Sequence, residues 1–195
     1  IFPAMINAHE ALLAAGVDAG DIRVRRTREA LKRLVVVREK HAYVQPCVSP
    51  IWDTALATLA CTEALADQPT HDLRRGLDWL VTCQLRDEPG DWRHNAAHLE
   101  GGGWAFQYDN PYYPDVDDTA AVGLALVGVD RDRYAESISR AANWVAGMQS
   151  KNGGFASFDI DNTYSYLNEI PFADHGALLD PPTADVSSRC LAFLV

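Results

Sequence analysis

Paired sulfur ligands and positive charge are both in short supply in this chain. Its four cysteines, Cys47, Cys61, Cys83 and Cys190, stand far apart, with no Cys-x-x-Cys pair and no histidine at ligand spacing. That pattern builds neither a zinc site nor a disulfide framework, and it suits a reducing compartment. Lys and Arg number 17 against 27 Asp and Glu, a formal net charge of -10. A nucleic-acid interface needs a cationic face to neutralise phosphates, so no nucleic acid is expected as a partner. Uninterrupted apolar runs of about 18 residues are also missing, which leaves no candidate for a membrane-spanning helix. The basic charge that exists is concentrated in Arg23, Arg25, Arg26, Arg28, Lys32, Arg33, Arg38 and Lys40. Such a stretch reads as a solvated helix face or as a surface for anionic lipid headgroups.

The composition is nonetheless that of a folded protein, 48% hydrophobic over 195 residues. The chain begins at Ile1 and stops inside the apolar run Leu191-Ala192-Phe193-Leu194-Val195, and so reads as an excerpt holding pieces of two larger units.

Acidic residues are crowded at one point. Pro114-Asp115-Val116-Asp117-Asp118-Thr119-Ala120 places three carboxylates within four positions, after a proline and before an apolar helical run. Like charges a few ångströms apart cannot all ionise cheaply, so at least one should keep its proton near neutral pH. A cluster of this kind can donate a proton. The plainer alternative is that Asp117 or Asp118 caps a helix while the others face water.

The chain also repeats itself. Arg75, Trp79 and Gln84 fall on Arg140, Trp144 and Gln149 at a shift of 65, and Asp53-Thr54-Ala55 falls on Asp118-Thr119-Ala120 at the same shift. Asp185-Val186-Ser187 follows 67 residues later as a weaker third copy. Fixed periods of this length mark stacked supersecondary units. Each unit reads as two helices. The first should open at its Asp as N-cap, with apolar residues at Leu56, Leu59 and Ala60, or Val122, Leu126 and Val129. The second should carry Leu77, Leu80 and Val81, or Ile138, Val145 and Met148, on one face. Glycine-rich aromatic turns follow, Gly101-Gly102-Gly103-Trp104-Ala105-Phe106 and Gly153-Gly154-Phe155-Ala156-Ser157-Phe158. The repeated Gln is expected to staple backbone across the joint that the Trp covers. No segment reads as a strand with comparable strength. The expected fold class is all-α, an α/α barrel or toroid of repeated helix pairs, with functional residues at the helix N-termini.

These residues carry a resemblance. Asp115-Val116-Asp117-Asp118-Thr119-Ala120, the Gln/Trp repeats leading to Gly90-Asp91-Trp92 and Gly153-Gly154-Phe155, Gln45-Pro46-Cys47-Val48-Ser49-Pro50-Ile51-Trp52-Asp53-Thr54, and Asp161-Asn162-Thr163 through Ile170-Pro171-Phe172-Ala173-Asp174 together resemble the bacterial squalene-hopene cyclases. The similarity is nearly continuous from about residue 43, and looser before it. It implies two α/α barrels around a hydrophobic cavity, with 1–47 ending the first barrel and 48–195 beginning the second, catalytic one.

The resemblance further implies an enzyme that protonates a terminal double bond of squalene and closes its rings to hopene or hopanol, with no cofactor and no metal. It makes Asp117 the proton donor, flanked by Asp115 and Asp118, whose negative charge would orient it. Trp52, Phe106, Tyr113, Phe158 and Phe172 would line the cavity, their ring faces stabilising cations that a nucleophile would quench. Implied partners are squalene and a membrane lipid surface, contacted monotopically at the cytoplasmic face, and a second copy in a homodimer. Two departures stand out. Arg189 replaces a histidine that some members carry four residues after Asp185 to support the acid, so a guanidinium would take that role by a different geometry. His175 stands at a position aromatic in some relatives.

The rival readings are other class II cyclases with different products, metal-dependent prenyl-transferring or ionising enzymes, and a non-enzymatic helical-repeat module. The oxidosqualene cyclases usually carry a single Asp before Cys-Thr-Ala, where this chain has Asp118. The metal-dependent group needs ligand clusters that the sequence lacks.

Overall fold

The computed structural model describes residues 2–45, 47–65, 70–107, 110–170 and 178–195. It divides into two compact units, Ile1–Val48 and Ser49–Val195. The first unit pairs helices α1 (Phe2–Ala14) and α2 (Ile22–Arg33), joined by the His9 Nδ1 to Thr27 Oγ1 hydrogen bond of 2.7 Å. Asp21 caps α2 by accepting the Arg23 N–H, and Val24 is its fully buried residue. Strands β1 (Val35–Val37) and β2 (Ala42–Val44) close a short antiparallel hairpin.

In the second unit the repeat becomes geometry. Helices α3 (Pro50–Ala64), α5 (Val116–Asp130) and α7 (Ala184–Leu194) form one row in which α5 touches both neighbours. Helices α4 (His71–Thr82) and α6 (Ala135–Gly147) form a second row, α4 against α3 and α5, α6 against α5 and α7. This two-layer helical order is the all-α architecture that the period predicts.

Helix starts lie earlier than the repeated Asp. Ser49 caps α3 by accepting the Trp52 N–H, with Pro50 as its first residue, and Asp115 caps α5. Asp53 and Asp118 therefore sit inside the first turn, where a carboxylate still meets the positive end of the helix. The apolar stripe of α3 is also displaced. Ile51, Ala55 and Thr58 are its buried positions, while Leu56 is 39% exposed, because one residue along a helix turns a side chain by about 100°. On α5, by contrast, nine residues are buried, as befits the helix surrounded on most sides.

The glycine-rich turns are strand-like at one place. Strands β3 (Trp104–Ala105) and β4 (Pro114–Asp115) pair antiparallel, setting Trp104 opposite Asp115 and Ala105 opposite Pro114. Two-residue strands carry no readable alternation, so sequence periodicity misses them. Gln84 Nε2 donates to the carbonyls of Gly102 (2.8 Å) and Ser137 (3.0 Å), and Gln149 Nε2 donates to that of Gly153 (2.9 Å). The Trp104 indole donates to the Leu80 carbonyl, and Trp92 meets Trp144 edge to face at 5.7 Å. Gly102 permits this closeness, since a Cβ there would lie 2.5 Å from the Arg140 carbonyl oxygen.

Candidate active site

All three clustered acids sit at the N-terminus of α5, Asp115 as its cap and Asp117 and Asp118 in its first turn, but each meets a different environment. Asp115 is the N-cap, and one of its oxygens accepts the N–H groups of Asp117 (2.8 Å) and Asp118 (3.2 Å). Those two bonds favour its ionised form, yet burial outweighs them and raises its pKa to about 7. Asp118 is 2% exposed, and its Oδ1 has no hydrogen-bond partner among the described residues. Burial first, and then the Asp115 and Asp117 charges, push it up to about 8. The negative charge that the resemblance implies on Asp115 and Asp118 is thus disfavoured, because both carboxyls lie in a dry environment.

Asp117 is only partly buried and meets a cation. Arg189, one repeat later on α7, donates through Nη1 to Asp117 Oδ1, and its guanidinium lies 5.0 Å from the centroid of the Trp52 ring on α3. The acid, its cation and an aromatic face are in this way drawn from three successive helices of one row. Cys190, next to Arg189, is fully buried, and burial lifts its thiol to about 12.

Four of the sequence candidates meet in a cavity of about 170 Å³ lined by Phe106, Gln107, Asn110, Tyr113, Asp115 and Phe158. Tyr113 and Phe158 cross edge to face at 6.5 Å, and the Tyr113 hydroxyl donates to Asp91 at 3.2 Å. The Asp91 charge is the main reason that the phenol is raised. Trp52 does not line this cavity; its partner is Arg189. Asp185 lies in the first turn of α7, where the Thr183 hydroxyl holds its carboxyl below the usual range and the Arg189 charge adds least. Phe172 and His175 lie outside the described residues. Among the described residues, no group of three or more His, Cys, Asp or Glu is placed to hold a metal ion, and no helix is long and apolar enough to cross a membrane. A larger cleft of about 630 Å³, lined among others by Asn95, Lys151, Asp161 and Asn162, shares none of the described residues with the aromatic cavity.

Sequence reasoning gave no role to Thr119, Ser157 or Asp180. The Thr119 hydroxyl donates to the Asp115 carbonyl (2.6 Å) and accepts the Trp104 N–H (3.0 Å), tying the acid turn to β3. Ser157 and Asp180 reach the same turn through backbone bonds, which leave no trace in side-chain patterns. The only available signal was Asp180-Pro181-Pro182, an acid at a forced turn.

Rows of repeated helix pairs, with an acid cluster at an inner helix N-terminus and aromatic rings beside it, define a helical-repeat protein. The family model described as squalene-hopene cyclase C-terminal domain matches residues 48–195, and the chain belongs to this family. The whole chain is 48% identical to a squalene-hopene cyclase of Schizosaccharomyces japonicus over 201 residues, covering 31% of that protein. It is 46% identical to a squalene–hopene cyclase of Zymomonas mobilis over 205 residues, again all of this chain and 31% of the relative. A probable squalene–hopene cyclase of Sinorhizobium fredii is 46% identical over 198 residues, with the same coverage. The chain therefore spans 31% of the length of these three relatives.

Proposed function

We propose that the protein containing this chain cyclises squalene to hopene or hopanol, with Asp117 as the proton donor. An isolated alkene is a very weak base, so its acid must leave behind a well-stabilised conjugate base in a place that water does not reach. The observation that carries this reading is the Arg189 to Asp117 contact, two residues along the chain from Asp115, which lines the aromatic cavity.

In the proposed step the Asp117 carboxylic acid gives its proton to the terminal double bond. The π electrons form the new C–H bond, a tertiary carbocation is left, and the Asp117 carboxylate remains against Arg189. Successive double bonds then attack in turn and close the rings. Transfer of a proton from the last cation to water gives hopene, and addition of water to that cation followed by transfer of one of its protons to a second water gives hopanol. Asp115 and Asp118, whose burial favours the protonated form, are the nearby stores from which Asp117 regains its proton. Phe106, Phe158 and Tyr113 present ring faces rather than nucleophiles to the intermediate cations. Squalene dissolves in lipid, so the same reading puts the protein on a membrane surface, monotopically and at its cytoplasmic face.

Incubation of the full-length protein with squalene, followed by mass spectrometry of the extract, tests the proposal. Pentacyclic products are expected from the natural protein and none from Asp117→Asn of unchanged helicity. Near-normal turnover by Asp117→Asn would remove the acid from its role. Flotation with liposomes tests the membrane placement, and failure to float would refute it.

A further inference from the structure

Asp180 lies just before α7, outside the acid triad, yet its carboxylate reaches the cavity wall. Its Oδ2 accepts the backbone N–H groups of Ser157 (2.6 Å) and Phe158 (3.2 Å). The Ser157 carbonyl in turn accepts the N–H of Val116 (2.7 Å), the first residue of α5, between Asp115 and Asp117. The segment around Ser157 is fastened further by Thr183, whose N–H donates to the Phe155 carbonyl (3.2 Å), and by the Ser187 hydroxyl, which accepts the Phe155 N–H (2.9 Å). From these bonds we propose that Asp180 is a positioning residue for the cyclisation cavity, fixing the Phe158 ring and the acid-bearing turn to one another. The proposal rests on the cyclase reading above.

Phe158 faces Tyr113 across the cavity that Asp115 also lines, so the ring and the acid turn must keep a set distance for a folded hydrocarbon to meet both. Nothing covalent sets that distance, because Phe158 and Asp115 are on different repeats. A single carboxylate oxygen that accepts two adjacent N–H groups is a directional clamp. The peptide it holds is the same one that receives the Val116 N–H. A displacement of Phe158 would thus be felt at the start of α5. A cation formed where the ring face is misplaced loses its stabilisation and gives up a proton early.

The test uses the full-length protein with squalene as probe and compares Asp180→Asn, Asp180→Ala and Asp180→Glu. The amide oxygen of Asn can still accept both N–H groups, so that variant should keep the natural product ratio. Ala removes the acceptor and Glu displaces it while keeping a carboxyl group. Both should raise the share of products with fewer rings severalfold, and Glu serves if Ala does not fold. Hydrogen exchange measured by mass spectrometry should quicken on the order of tenfold in Ala for peptides spanning 155–160 and 113–118, and stay near the natural rate in Asn. A natural product ratio in Ala or Glu, even with a lowered melting temperature, overturns the proposal. If the natural protein leaves squalene untouched, the cyclase reading is what fails. The exchange rates then decide on the clamp alone: faster exchange in Ala upholds it, and unchanged exchange refutes it.

Discussion

Arg189 on α7 donates to Asp117 on α5, so the acid of one repeat is completed by a cation from the next. The two residues lie 72 positions apart in the chain. The same guanidinium stacks over Trp52 of α3, which limits the directions it can take. A planar, permanently charged group held in this way keeps its positive charge beside Asp117 at every accessible pH.

Replacing Arg189 by Met should therefore lower turnover of squalene by roughly 10- to 100-fold, the loss expected for a hydrogen bond between charged groups of about 1.5 to 3 kcal/mol. Arg189→Lys should recover part of the rate. Steady-state kinetics of the three full-length proteins provide the check, and a Met variant as fast as the natural one would detach Arg189 from the acid.

The ring faces call for a different measurement. Truncating Phe106 or Phe158 to Ala should end the cascade early and enrich products with fewer rings, since each face is worth roughly 0.5 to 2 kcal/mol to a desolvated cation. A residue that only packs would lower yield and melting temperature together and leave the product ratio alone. Product profiles set beside melting temperatures separate the two roles.

Stability should fall as pH rises through neutrality. The unfolded aspartates titrate near 4, whereas Asp115 and Asp118 in the fold are raised to about 7 and about 8. Between those limits the folded state holds more protons than the unfolded one, so its stability declines with pH. The stabilising share is complete below pH of about 4 and is lost as pH climbs past about 8. Asp118→Asn removes one of the two groups, and its melting temperature should gain on the natural protein between pH 5 and pH 9. Parallel melting curves against pH for the two proteins would refute this.

Gly123→Ala should destabilise, although alanine is the better helix former by about 1 kcal/mol. A Cβ at Gly123 would lie 2.3 Å from Cε2 and 2.5 Å from Cζ of Phe193, the ring that α7 packs against α5. Overpacking of this kind costs about 1 to 3 kcal/mol. Pairing the change with Phe193→Leu should restore part of the melting temperature, and an unchanged value in the single variant would refute the contact.

The parts of the fold that repeat were legible in the sequence, because a shift of 65 aligns Trp79 with Trp144 and Asp53 with Asp118 whatever lies between. The triad was legible because crowding of carboxylates is itself a chemical anomaly. Helix starts were misplaced for a related reason: Asp53 and Asp118 repeat, so they looked like caps, but the caps are Ser49 and Asp115, which do not match each other. The protonation pattern could not be read either, since Asp115 and Asp118 owe their shifts to burial, and burial is a property of the packed row. Asp180 was invisible because it acts on backbone N–H groups, which every residue other than proline possesses.

Cys190 offers a way to watch the site assemble. Its thiol is sealed beside Arg189 at the seam of α5 and α7, and burial raises its pKa and so disfavours the reactive thiolate, whereas Cys47 and Cys61 are exposed to solvent. An alkylating reagent should therefore modify the two exposed thiols first and reach Cys190 only when α7 lifts away from α5. The rate of that late modification is a clock for opening of the helix row at the acid, readable by peptide mass without any substrate.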